Sequence, residues 1–220
     1  MKSDIWVVLP AYNEGSYLNE VLKKLKKKTS NYIIVDDGSR DDTVGIAEKF
    51  TGHVLIHPLN LGKGAALKTG ATYAFETLGA KAVIFMDADD QHDPDQIPEF
   101  VKLLKKWPVV FGRRSLDNQM PIQRRLSNKL LSILVWLIYG KYVPDILCGY
   151  NALSKESYDK LQWQAQTYDV ELELVVRVIL ANLPHTTVKV KTIYHDLDRG
   201  MTVLDAVRVI TELLQWRLMP

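Results

Sequence analysis

One cysteine, Cys148, occurs in 220 residues. A single thiol excludes an internal disulfide and cannot by itself build a thiolate metal site, which suits a reducing compartment. Net charge is nearly absent too. Twenty-eight Lys and Arg against 26 Asp and Glu leave +2, so no global field draws the chain to nucleic acid or anionic lipid, and any basic site must be local. Long apolar runs are missing: the longest, Leu130 to Ile138, is broken by Ser132 and is far below the roughly 20 residues a spanning helix needs. No internal repeat, low-complexity tract or Pro/Gly/Ser-rich linker divides the chain, and Met1-Lys2-Ser3-Asp4 leads straight into a strand pattern without signal-peptide character. One cytoplasmic domain covering residues 1–220 is expected.

What is present is ample material for a core, at 47% hydrophobic residues, with strand-like runs alternating with segments of helical period. Strands are predicted at 5–9, 32–35, 54–56, 82–86, 109–111 and 187–193. Helices are predicted from Leu18 to Leu25, at 43–50, 64–78, 94–106, 123–139 and about 170–181, and from about Val203 onward. Residues 140–154 read as irregular. The lysines at 23, 24, 26, 27 and 28 are expected on the solvated face of the first helix.

Three predicted strands run into sequence rich in chemistry: Pro10-Ala11-Tyr12-Asn13-Glu14, Asp36-Asp37-Gly38-Ser39 and Asp87-Ala88-Asp89-Asp90-Gln91-His92-Asp93. In α/β sheets the ligand crevice lies at the carboxyl ends of parallel strands, so parallel pairing brings the three loops together. Each alone is weak, because Asn13 or Ser39 can be a helix cap and Asp-Gly an ordinary turn. Together they crowd carboxylates that repel one another without a cation. In an extended segment Asp87, Asp89 and Gln91 share one side, with the small Ala88 opposite. Mg²⁺ or Mn²⁺ takes one or two carboxylates plus phosphate oxygens and water, which implies a ligand such as a nucleoside diphosphate. His92, with no second His or Cys nearby, is read as a hydrogen-bonding or structural residue. Asn60-Leu61-Gly62-Lys63-Gly64 puts two glycines and a lysine at a helix start without the spacing of a Walker loop.

Taken in order, these pieces resemble family two glycosyltransferases of the GT-A fold and, within them, the polyprenol-phosphate (dolichol-phosphate-type) mannosyl- and glucosyltransferases. The resemblance extends through Gly112-Arg113-Arg114, Asp145 with Cys148-Gly149-Tyr150, Asp169-Val170-Glu171 and Arg199-Gly200. It implies a Rossmann-like three-layer α/β/α sandwich with a mostly parallel central sheet, a nucleotide-sugar half at about 1–112 and an acceptor half at about 113–220. By the same resemblance Pro10, Tyr12, Glu14, Asp36, Asp37, Lys63, Asp87, Ala88, Asp89 and Arg199 hold the nucleotide sugar, and Asp87, Asp89 and Gln91 bind Mg²⁺ or Mn²⁺. An acceptor phosphate falls to Arg113, Arg114, Arg124 and Arg125. The family often places Ser-Lys after the late Arg-Gly, where Met201-Thr202-Val203 stands here.

The implied activity is inverting transfer of a hexose, mannose or glucose, from a GDP- or UDP-sugar to a polyprenyl or dolichyl phosphate. The same chemistry on a sugar hydroxyl, in polysaccharide or glycoprotein assembly, is the alternative, and a catalytically silent nucleotide-sugar-binding module is the non-enzymatic one. A hydroxyl needs a general base, whereas a lipid phosphate is already anionic and needs mainly desolvation and aim. Asp169 and Glu171 are candidates for such a base, or for orienting substrate or an arginine, the role favoured here; Asp89, Arg113 and Arg125 complete the catalytic set. Helix 123–139, by itself, reads as a core helix. Arg124, Arg125 and Lys129 at one end and Trp136 and Tyr139 at the other suit an interfacial helix beside a lipid tail. Peripheral contact with the cytoplasmic membrane face, or a separate membrane subunit, follows as an expectation.

Overall fold

The computed structural model describes residues 4–114, 122–161, 163–166, 169–192 and 203–218, without the side chains of 123, 124 and 203–208. Its seven strands, β1 (Ile5–Ala11), β2 (Tyr32–Asp36), β3 (Val54–Ile56), β4 (Ala82–Phe85), β5 (Val109–Arg114), β6 (Asn151–Ser154) and β7 (His185–Val190), form one sheet in the order β3-β2-β1-β4-β6-β5-β7. Only β6 runs against its neighbours β4 and β5; the β1/β2, β1/β4, β2/β3 and β5/β7 pairs are parallel. With β6 antiparallel to both its neighbours, β5 points the same way as β4. The carboxyl ends of β1, β2, β4 and β5 therefore share one edge of the sheet.

Strand alternation sorts the apolar side chains onto two faces. Val8, Ile33, Val35, Val83, Phe85, Val109, Phe111 and Leu153 enter one core, and Val7, Leu9, Ile34, Ile84, Val110 and Ala152 enter the other. Helix α1 (Gly15–Lys26) buries Leu18, Val21, Leu22 and Leu25 in the second core, alongside α2 (Thr43–Glu48) and α4 (Ile97–Leu104). Opposite lie α3 (Lys63–Thr72), α5 (Ile122–Tyr139), α6 (Lys155–Leu161), α7 (Val170–Leu180) and α8 (Val203–Leu218). α3 has almost no large side chains, and that lets it lie close: a Cβ on Gly70 would sit 2.4 Å from Val8 Cγ1. Its last turn widens into a π-helical segment, Tyr73–Thr77.

Three local expectations change. β6 and α6 occupy sequence that begins in, or directly follows, the segment read as irregular. Asn151-Ala152-Leu153-Ser154 shows no alternation because Asn151 is buried as a polar bracket, donating to the Cys148 carbonyl (2.7 Å) and accepting from Gly112 N–H (3.3 Å). β7 starts and ends earlier than predicted, at His185–Val190. Two lysines of the basic run are not simply solvated: Lys24 in α1 pairs with Asp90 at 2.8 Å, and Lys28, just beyond the helix, with Asp95 at 3.0 Å.

Candidate active site

The loops after β1 and β2 are zipped together by short polar side chains. Asn13, at φ 56°, donates its N–H to Ser39 Oγ and accepts from Arg40 N–H. Gly15 N–H reaches Asp41, and Glu14 N–H reaches Thr43 Oγ1 (each 2.9 Å). Asp37 shapes the next loop, accepting from His57 Nδ1 (2.7 Å) and from the N–H groups of Leu61 (2.9 Å) and Gly62 (2.8 Å). These bonds present Lys63 at the start of α3, after Gly62 turns the chain at φ 94°. Beneath them Asp36 accepts from Gly38 and Ser39 through Oδ2, while its buried Oδ1 has no partner among the described residues.

The loops surround a cavity of about 380 Å³ lined by Pro10, Ala11, Tyr12, Glu14, Asp37, Asn60, Gly62, Lys63, Ala66, Asp87, Ala88 and Asp89. Eight residues picked out in the sequence as donor-binding line it: Pro10, Tyr12, Glu14, Asp37, Lys63, Asp87, Ala88 and Asp89. Asp36 lies behind the wall rather than in it. Arg199 lies outside the described residues.

Electrostatics divide the carboxylates into two kinds. Asp87 Oδ1 sits 2.6 Å from Lys63 Nζ, and the same ammonium is 2.6 Å from Glu171 Oε1. Burial opposes charge on Asp87, yet Lys63 outweighs it and holds the carboxyl below its ordinary range. Lys63 is raised well above the lysine range: its two carboxylates override the desolvation that works against an ammonium. Glu171 moves upward through burial, against the pull of Lys63. Among the described residues no cation lies within ion-pair distance of Asp89 or Glu14. Burial, then the charge of Asp87, pushes Asp89 to about 6; burial, then Asp89, Asp87 and Asp41, pushes Glu14 to about 7.

That unrelieved negative charge is the chemistry a hard cation fits. Among the described residues no three His, Cys, Asp or Glu side chains are arranged to hold a metal unaided. Asp87 is paired with Lys63, and Asp89 is the cavity aspartate left without an ammonium at bonding distance among the described residues. Gln91 holds Asp89 in place, with Nε2 on Oδ2 at 2.8 Å and its N–H on Oδ1 at 3.0 Å. His92 is structural in its contacts. It accepts from Asp87 N–H (3.1 Å), stacks on Tyr150, and is held neutral by burial, with its pKa lowered to about 4.

On the other side of the edge, Arg113 is exposed at the end of β5 and Arg125 is half-buried in the first turns of α5. The side chain of Arg124 lies outside the described residues. Arg114 is paired: its Nε and Nη2 form a two-pronged pair with Asp145 at 2.9 and 2.8 Å. Asp145 also accepts from Arg114 N–H and from Asn128 Nδ2, so this guanidinium ties β5 to α5. Asp169 takes the N-cap position of α7. The sequence reading missed Asn128 and Glu173 altogether. The available signal for Glu173 was a second glutamate inside the otherwise apolar run Val170–Leu180; Asn128, between Ser127 and Lys129, carried none.

The family model for glycosyl transferase family 2 matches residues 6–162. The chain belongs to that family. The glycosyltransferase is 34% identical to an uncharacterized protein of Methanocaldococcus jannaschii, over 99% of this chain and 93% of the other. It is 30% identical to a UDP-N-acetylglucosamine–dolichyl-phosphate N-acetylglucosaminyltransferase of Methanococcus voltae, over 97% and 96%. Its fold is similar to that of glucosyl-3-phosphoglycerate synthase from Mycobacterium tuberculosis. The complex with UDP superimposes with a TM-score of 0.73 at 25% identity, covering 98% of this chain and 80% of that one. The complex of the same enzyme with Mn²⁺, UDP and phosphoglyceric acid gives 0.74 at 24% identity.

Proposed function

We propose that this glycosyltransferase moves a hexosyl group from a UDP- or GDP-sugar to a polyprenyl phosphate, with inversion at the anomeric carbon. The observation that carries the reading is the cavity at the carboxyl edge, where Asp87 is paired with Lys63 while Asp89 and Glu14 have no ion-pair partner among the described residues. Its 380 Å³ falls in the range that accepts a nucleotide-sized ligand. The name of the Methanococcus voltae relative, which pairs a UDP-sugar with dolichyl phosphate, supports both substrate classes.

In this reading Pro10, Tyr12 and Asp37 border the nucleoside, Lys63 and Asp87 face the diphosphate, and Asp89, steadied by Gln91, would hold Mg²⁺ or Mn²⁺. Bound there with the donor, the ion would offset charge building on the departing diphosphate. An oxygen of the acceptor phosphate attacks the anomeric carbon from the opposite face. The bond from that carbon to the diphosphate oxygen breaks, and the nucleoside diphosphate leaves with the electron pair. A phosphate nucleophile surrenders no proton, so the site needs cations for aim rather than a base. Arg113 and Arg125 are the acceptor candidates; Arg114 is committed to Asp145.

Exposed apolar side chains support a lipid acceptor over a sugar hydroxyl. On α5, Leu126, Leu130 and Leu137 follow one stripe with Trp136 beside it, while Leu131 and Val135 face the core. On α8, Ile210, Leu214 and Leu218 repeat every four residues. Tyr139 Oη donates to the Leu213 carbonyl at 2.6 Å, joining the two helices. No helix among the described residues is long and apolar enough to cross a membrane, and the paired stripes fit contact with a bilayer surface.

Thermal unfolding in the presence of UDP- and GDP-hexoses, with Mn²⁺ or with EDTA, tests the donor half. One nucleotide sugar should raise the midpoint only when metal is present, as mass action on the native state requires. No shift with any donor would remove the basis for the proposal.

A further inference from the structure

We infer that Glu171 is a positioning residue for donor binding that acts through Lys63. The inference rests on the reading of the cavity as a nucleotide-sugar site.

Glu171 does not line the cavity; Lys63 does. The glutamate is buried behind the lysine, bonded to its ammonium at 2.6 Å, and the ammonium is shared with Asp87 at the same distance. Two of the three N–H bonds of Lys63 are thus directed by carboxylates, and the third, without a partner among the described residues, is the one a ligand oxygen in the cavity would take. Space for this arrangement comes from Gly149, where a Cβ would lie 2.6 Å from Asp87 Oδ2 and 2.8 Å from Lys63 Nζ. Any side chain there would push the pair apart.

A second grip reaches the same place through the backbone. Glu173, fully buried two residues along α7, accepts the N–H groups of Gln164 (3.0 Å) and Ala165 (2.6 Å). That strip in turn holds the residue after Lys63: Gly64 N–H donates to the Gln166 carbonyl at 2.7 Å, and Trp163 Nε1 donates to the Gly64 carbonyl at 3.2 Å. The approach is closed to any other residue, because a Cβ on Gly64 would meet the Ala165 carbonyl oxygen at 2.0 Å. One helix turn therefore fixes Lys63 by its side chain through Glu171 and by its neighbouring backbone through Glu173. A general base must touch the acceptor, and Glu171 touches a lysine.

Calorimetric titration of UDP in the presence of Mn²⁺ into wild type, Glu171→Gln, Lys63→Met and the double variant tests this. Glu171→Gln should weaken UDP about tenfold, the scale of exchanging the charge-assisted hydrogen bond that aims Lys63 for a neutral one. The double variant should bind no more weakly than Lys63→Met alone, since the glutamate acts through the lysine. In turnover, Glu171→Gln should raise the donor KM with kcat within about threefold, whereas loss of a general base would cut kcat by about 10² or more. Unchanged UDP affinity in Glu171→Gln, additive losses in the double variant, or a collapse of kcat at saturating donor would each overturn the inference while leaving the donor reading intact. Wild type that binds neither UDP nor GDP would overturn both. If Glu171→Gln is recovered unfolded, Glu171→Asp, which keeps the charge and shortens its reach to Lys63, must weaken UDP about tenfold, with equal affinity counting against the inference.

Discussion

Replacing Asp145 by alanine removes one acceptor from four hydrogen bonds: Arg114 N–H at 2.8 Å, Arg114 Nε at 2.9 Å, Arg114 Nη2 at 2.8 Å and Asn128 Nδ2 at 2.7 Å. The carboxylate is 1% exposed and the guanidinium 14%, so water cannot take over the lost contacts without opening the junction between β5 and α5. Stranding one partner of a buried pair costs about 3–5 kcal/mol. At about 2–4 °C of midpoint per kcal/mol for a chain of this size, Asp145→Ala should unfold about 6–20 °C below wild type. Differential scanning calorimetry reads this directly. Asp145→Asn, which keeps the shape and loses the charge, should fall between the two. Arg113→Ala, at an exposed position, should stay within about 0.5 kcal/mol of wild type. A fall of less than about 3 °C in Asp145→Ala would refute the claim that Arg114 serves the fold, and would return it to the acceptor candidates.

Asp89→Asn should abolish metal-dependent donor binding while the chain still folds, because removing one of several crowded carboxylates relieves repulsion; retained Mn²⁺-dependent UDP binding would contradict the ligand assignment. His92 sets a pH dependence. Its folded pKa, lowered by burial to about 4 from 6.5, means the unfolded chain takes a proton first as pH falls, so stability present above 6.5 is lost on the way to 4. The loss from this group is about 3 kcal/mol. It should vanish in His92→Asn, whose side-chain oxygen can still accept from Asp87 N–H, and parallel stability–pH curves for the two proteins would count against it. Leu130→Asp with Leu137→Asp should reduce flotation with anionic vesicles several-fold without lowering the melting midpoint, as both side chains are already exposed. Unaltered flotation would argue against α5 as the contact.

Much of the architecture was legible because buried parallel strands announce themselves as short Val/Ile runs. β1, β2 and β4 each end in a polar loop at one edge, and the positions of Tyr12, Asp37 and Asp89 in the cavity follow from that topology. β6 was illegible for a physical reason: both its faces are covered, and its first residue is a buried amide that mimics a loop. The roles of Arg114 and Glu171 were equally hidden. An arginine after a strand looks the same whether it meets a phosphate or Asp145, and a glutamate in an apolar helix looks the same whether it faces substrate or Lys63. Partner choice of that kind depends on residues 31 and 108 positions away in the chain, a distance no local pattern encodes.

Glycosyl transfer itself gives the most direct measurement. The full chain, incubated with polyprenyl phosphate and a radiolabelled UDP- or GDP-hexose, is extracted into organic solvent with Mn²⁺ or with EDTA present. The account predicts label in the organic phase, dependent on Mn²⁺ and lost in Asp89→Asn. Label confined to the aqueous phase, or organic label undiminished by EDTA, would contradict it.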